Sequence, residues 1–141
     1  MTHHRELDKE KVFTILLVDD QPEQIDVIKS ALQPHYVLKI ATNGPVALKI
    51  AEAGGLDLVL LDVVMPGMDG YEVCQRLQEM SQSEKTPIIF LTMMDGQDDE
   101  AMGLEQGAVD FIRKPSCPSV VLTRVRNAIA HEQTKKGLIR K

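Results

Sequence analysis

Tryptophan is absent from this chain, and aromatic side chains of any kind make up only 4% of it. A core without large rings has to be filled by Ile, Leu, Val, Ala and Met, which suits helices packed on buried parallel strands and speaks against an aromatic-lined binding surface. Cysteine is almost as scarce. The two present, Cys74 and Cys117, follow no metal-ligand spacing and form no disulfide framework; Cys74 falls within a helical pattern and reads as a small buried side chain. Long hydrophobic runs are missing too. No stretch approaches the roughly 20 apolar residues that span a bilayer, and the first run, Phe13 to Val18, leads into two aspartates, so it reads as a strand and not as a signal peptide. We therefore expect no membrane association and a cytoplasmic, reducing location. Basic charge is also short: 16 Lys and Arg face 21 Asp and Glu, a net charge of -5. Direct nucleic-acid binding, which needs a basic face to neutralise phosphates, is not expected.

What the chain does have is alternation. A length of 141 residues fits one domain with a core of its own. Residues 1–11 mix charges of both signs without periodicity and read as a flexible lead-in. FTILLV (Phe13 to Val18) is a short branched-chain run bounded by charge, hence a buried strand. Pro22 suits the first turn of a helix whose core stripe is Ile25, Ile28 and Leu32, and Pro34 stops it. A second strand covers Val37 to Ala41, and a helix starting near Pro45 carries Ala47, Leu48 and Ala51 before the Gly54 and Gly55 breaker. Leu56 to Asp62 is the third strand, Met65 to Gly70 a turn, and Val73, Cys74, Leu77 and Met80 the inner face of the third helix. Pro87 to Thr92 is the fourth strand; Ala101, Leu104 and Ala108 suggest a shorter helix ended by Gly107. Val109 to Ile112 is the fifth strand, and Val121, Leu122, Val125, Ala128 and Ile129 line a final helix from Pro118. The expected domain is 12–131, with 132–141 a basic tail or the start of a linker. Such alternation predicts an α/β fold, a doubly wound, flavodoxin-like (βα)5 parallel sheet of strand order 2-1-3-4-5.

In that order the ends of strands one and three are neighbours, and ligands of open parallel sheets bind at the carboxyl ends of the strands. Asp19, Asp20 and Asp62 then share one pocket, where mutual repulsion calls either for protonation or for a cation. A hard divalent ion with oxygen ligands resolves the conflict, and Mg2+ suits a site with few protein ligands and positions left for water and phosphate. Asp20 and Asp62 are the expected direct ligands, the Val64 backbone carbonyl a third, and Asp19 a ligand through water. A carboxylate oxygen of Asp62 can then attack phosphorus, with Lys114 supplying positive charge and Thr92 a hydroxyl donor. Pro115 is a place for a cis bond that aims Lys114 inward. Plainer roles exist for each: an Asp pair after a strand commonly caps a helix, Asp69 before Gly70 reads as a turn or cap residue, Thr92 alone as a strand end and Lys114 alone as a solvated charge. The combination, each residue at a strand end in the right order, favours the site.

The strings ILLVDDQP, LVLLDVVMPGMDGYEVC, PIIFLT and GAVDFIRKP resemble the receiver domain of bacterial two-component response regulators, over about Phe13 to His131. The resemblance implies that Asp62 accepts a phosphoryl group from a sensor histidine kinase or histidine phosphotransfer protein, with intrinsic Mg2+-dependent self-phosphorylation and dephosphorylation. It further implies that Asp19 and Asp20 hold Mg2+, that Thr92 and Lys114 contact the phosphoryl group, and that Phe111 is the aromatic switch residue, turning inward as Thr92 is drawn to the phosphate. A plain core or edge aromatic is the other reading of Phe111. Two departures stand out: Met93 where the family usually has a small residue, and Val64 with Met94, which offer no polar group to orient a hydrolytic water. We expect a long-lived phosphoryl aspartate. FIRKPSCPSVVLTRVRNAIAHEQ resembles receivers that precede cyclic-di-GMP synthesis or hydrolysis domains, so the chain is either a stand-alone receiver or the front of a larger regulator. A partner or homodimer surface is expected between Asp95 and Ala130. The runner-up, a haloacid-dehalogenase-type phosphatase, wants a second aspartate two residues after the first, and Asp19 is followed there by Gln21. A flavodoxin-like cofactor protein is disfavoured because DDQPEQ would repel a phosphate.

Overall fold

Short branched-chain runs bounded by charge fold as the inner strands of one sheet, because a strand covered on both faces has no polar side to present. In the computed structural model, which describes residues 12–80, 86–93 and 105–135, these are β1 (Thr14–Val18), β2 (Val37–Ala41), β3 (Leu58–Asp62), β4 (Ile88–Thr92) and β5 (Asp110–Arg113). They form a five-stranded parallel sheet of order β2-β1-β3-β4-β5, as expected. Between them run α1 (Pro22–Leu32), α2 (Gly44–Glu52) and α3 (Gly70–Met80), and α4 (Pro118–Gln133) follows β5. The shorter helix expected around Ala101 and Leu104 lies outside the described residues. Gly107 does turn the chain into β5, with φ at 102°.

Alternation along each strand sends side chains to opposite faces of the sheet. Leu16, Val18, Val59, Leu61, Ile88 and Phe90 pack on one side with Val73, Cys74 and Leu77 of α3 and Ala47 of α2. Ile15, Leu17, Leu58, Leu60, Ile89 and Leu91 pack on the other with Ile28 and Leu32 of α1 and Val121, Val125 and Ile129 of α4. Cys74 is buried as expected, its thiol donating to the Gln106 carbonyl at 3.5 Å, and burial pushes it up to about 11. Among the described residues, no helix is long and apolar enough to cross a membrane.

Three details differ from the sequence reading. Ile25 is only partly buried while Gln24 is buried in its place, because Gln24 finds a hydrogen-bond partner inside. Met80, expected on the inner face of α3, is 38% exposed at the end of the helix. β5 begins one residue later than expected, leaving Val109 exposed while its N–H donates to the Ile88 carbonyl at 2.9 Å.

Register is what positions the site. Val18 pairs with both Ala41 and Leu61, Asp62 with Leu91, and Thr92 with Arg113, so the carboxyl ends of the central strands lie level. Asp62 and Thr92 are the last residues of β3 and β4, while Asp19 and Lys114 are the first beyond β1 and β5.

Candidate phosphoacceptor site

At those level ends the chain gathers charge in a nearly dry place. Asp19 is fully buried and Asp62 is 3% exposed, with Asp20 half-buried beside them. One carboxylate oxygen of each lies within 4.8 Å of the others. The Lys114 ammonium, its side chain only 4% exposed, sits 3.1 Å from Asp19 Oδ2 and 3.2 Å from Asp62 Oδ2. One lysine does not balance the cluster. Burial first, then the negative charge of Asp19, drive the Asp62 carboxyl up to about 6 against the opposing pull of Lys114.

The helix-cap reading of the aspartate pair does not describe this arrangement. The N-cap of α1 is Gln21, and Asp19 accepts from the Gln21 N–H at 2.9 Å through Oδ1, which leaves Oδ2 for the pocket. Asp69, by contrast, does cap α3, accepting from the Glu72 N–H at 2.9 Å. Thr92 is buried at the pocket edge, and its carbonyl accepts from the Lys114 N–H at 2.8 Å. The Lys114–Pro115 peptide is cis, as the sequence suggested. Val64 donates its N–H to Asp62 Oδ1 at 3.2 Å. Its side chain is 60% exposed and that of Met93 66%; Met94 lies outside the described residues. Phe111 is half-buried against the α2/α3 side of the core, apart from the acids.

Gly70 closes the base of the loop that follows Asp62. Its N–H donates to the Val63 carbonyl at 2.8 Å, and a Cβ there would collide with the Asp62 carbonyl oxygen. Here glycine is required by contact with backbone, not by an unusual φ.

Sequence reasoning overlooked three residues. The Lys114 ammonium donates to Gln21 Oε1 at 2.7 Å, and Gln24 Nε2 donates to Ser116 Oγ at 2.6 Å between two buried side chains. The available signal was Gln21 itself, an N-cap residue outside the usual Ser, Thr, Asp, Asn set, whose side chain makes no cap bond.

A divalent cation fits this donor set. Three carboxylates converge, and the buried Asp19 Oδ2 and Asp62 Oδ2 share a single ammonium, that of Lys114, at 3.1 and 3.2 Å. The acidic trio can therefore hold a metal ion with oxygen ligands.

Comparison with known proteins agrees with the geometry. The profile of the response regulator receiver domain matches residues 15–126. The chain belongs to the response regulator receiver family. As a receiver it is a phosphoacceptor module of two-component signalling and not a classical enzyme. It is 40% identical over 126 residues, 89% of its length, to a Vibrio cholerae protein named "Probable cyclic di-GMP phosphodiesterase", of which it covers 29%. It is 39% identical over 114 residues to the response regulator PleD of Caulobacter vibrioides, covering 80% of this chain and 25% of that one. This receiver thus spans less than a third of either relative. Among solved structures, the signal receiver domain of an HD domain-containing protein from Pseudomonas fluorescens superimposes with a TM-score of 0.79 at 27% identity, over 89% of this chain and 92% of that one.

Proposed function

We propose that the chain accepts a phosphoryl group on Asp62 from a sensor histidine kinase or a histidine phosphotransfer protein, and signals by shifting the surface around β4, β5 and α4. The observation that carries this is the buried Asp62 carboxylate, held 3.2 Å from the Lys114 ammonium beside two further aspartates. An Asp62 oxygen forms the new bond to phosphorus as the phosphorus–nitrogen bond of the phosphohistidine breaks, its electron pair returning to the imidazole. Asp19, Asp20, Asp62 and the Val64 carbonyl would hold Mg2+, Asp19 through water; when bound, the ion supplies positive charge against that of the phosphoryl oxygens. Lys114 moves from carboxylate to phosphoryl oxygen, and the Thr92 hydroxyl donates to a second oxygen. Phosphorylation adds acceptor oxygens that these two residues then share, and Phe111 on β5 follows Thr92 inward.

The receiver runs from 12 to 131, with 132–141 a tail or linker. The resemblance to a relative named as a probable cyclic di-GMP phosphodiesterase supports an output domain of that class in a longer chain. The fourth- and fifth-element surface, Asp95 to Ala130, is where a partner or second copy would dock; its residues 95–104 lie outside those described. The apolar rim of Val64 and Met93 supports slow hydrolysis of the acyl phosphate.

Intact-mass measurement after incubation with Mg2+ and acetyl phosphate tests the assignment. A gain of one phosphoryl group that vanishes in Asp62→Asn and under chelation is expected. Persistence of the gain in Asp62→Asn would move the acceptor elsewhere.

A further inference from the structure

Lys114 is surrounded by three acceptors that do different things. Asp19 Oδ2 and Asp62 Oδ2 lie at ion-pair distance, 3.1 and 3.2 Å. The neutral Gln21 Oε1 receives one at 2.7 Å. The carboxylates hold the ammonium by charge, and Gln21 adds a shorter, neutral anchor for one of its three N–H groups.

Gln21 is well fixed for that task. Its N–H is bound to Asp19 Oδ1 at 2.9 Å, its carbonyl accepts from the Ile25 N–H at 3.0 Å, and Pro22 follows it at the first turn of α1. The loop that carries the lysine is tied to the same helix one turn later, where Gln24 donates to Ser116 at 2.6 Å inside the protein. The N-cap glutamine of α1 and Gln24 within it therefore tie the segment 114–116 to the helix beside the acidic cluster.

A cation bound by the aspartates would compete with Lys114 for their charge, whereas an amide oxygen is a poor rival for either. We propose that Gln21 is a positioning residue for phosphoryl transfer: it keeps the Lys114 ammonium at the pocket mouth while the aspartates engage a cation, so that the lysine meets the incoming phosphoryl oxygen without a search. The inference rests on the phosphoacceptor reading of Asp62 and adds to it a residue that acts only through Lys114.

The test compares phosphorylation rates from acetyl phosphate at saturating Mg2+, read by intact mass, in the full chain. Gln21→Met, similar in size but without the acceptor, is expected to slow labelling about tenfold, the scale of one hydrogen bond to a charged group. Gln21→Glu, which keeps an acceptor at the same reach but adds a charge that rivals the phosphoryl oxygen for Lys114, is expected to slow labelling as well. In a Lys114→Met background the same Gln21→Met change should alter the rate less than about twofold, because double-mutant coupling isolates the pair. Urea unfolding of each variant separates rate from stability. Equal slowing in both backgrounds, no slowing in either, or a wild-type rate in Gln21→Glu overturns the role of Gln21 and leaves Asp62 as acceptor. Failure of the wild type itself to take up a phosphoryl group sinks the acceptor reading, and this inference with it.

Discussion

Replacing Asp62 by Asn should make the metal-free protein more stable, although it removes the proposed phosphoacceptor. In the folded chain the Asp62 carboxyl is driven from 3.8 up to about 6, first by burial and then by Asp19, even after the attraction of Lys114 is counted. One unit of such displacement corresponds to about 1.4 kcal/mol, so the ionised form costs the fold about 3 kcal/mol at neutral pH. The sign follows from proton binding. Between 3.8 and 6 the folded state holds a proton that the unfolded state has released, so stability falls as pH rises through this window and levels off above it. Asn imitates the protonated form, and its side-chain oxygen can still accept from the Val64 N–H that now reaches Asp62 Oδ1. With a urea slope of about 2 kcal/mol per molar, the midpoint of Asp62→Asn should lie about 1.5 M above wild type at pH 7.5 in a chelator. The gap should shrink toward pH 4. A variant equally or less stable at pH 7.5, or a gap indifferent to pH, would refute the reasoning that the site stores unfavourable charge.

Mg2+ at about one hundred times its dissociation constant should stabilise wild type by about 2.7 kcal/mol, and Asp62→Asn by clearly less, measured as thermal midpoints with and without chelator. Gly70→Ala should cost about 3 kcal/mol or more, because its Cβ meets the Asp62 backbone instead of a side chain that could yield; a urea midpoint within error of wild type would contradict the contact. Ser116→Ala should cost about 1–2 kcal/mol by stranding the buried Gln24 amide, and the double variant with Gln24→Leu should recover part of that loss in the same urea assay. Val64→Asn places a polar group on the rim and should shorten the phosphoryl lifetime severalfold, followed by loss of mass label after removal of the donor.

Much of this was legible in the sequence because each strand is a run of branched apolar residues ended by a charge or a proline. Asp62, Thr92 and Lys114 could be located as strand ends, and strand order followed from the alternation with helices. Periodicity placed Ile25 on the core, against which it packs, but it said nothing of Gln24, whose burial depends on the Ser116 hydroxyl 92 positions away. Met80 satisfied the helical spacing but is the last residue of its helix and is exposed there. Gln21 escaped notice for a similar reason, since its partner Lys114 stands 93 positions on and no local pattern announces the pair.

The ladder of the sheet ends unevenly at the pocket. Between β3 and β4 its last rung joins the Val63 N–H to the Leu91 carbonyl, whereas Thr92, one residue further, is bonded through its carbonyl to the Lys114 N–H. Thr92 and Lys114 therefore ride on a common backbone bond beyond the point where β3 releases its neighbour, while Val63 and Gly70 tie the chain on the other side of Asp62 to itself. The two sides of the pocket are thus held by separate sets of backbone bonds. A displacement of either Thr92 or Lys114 carries the other with it, so probes placed on the two residues should relax with a single rate constant when the charge at Asp62 changes.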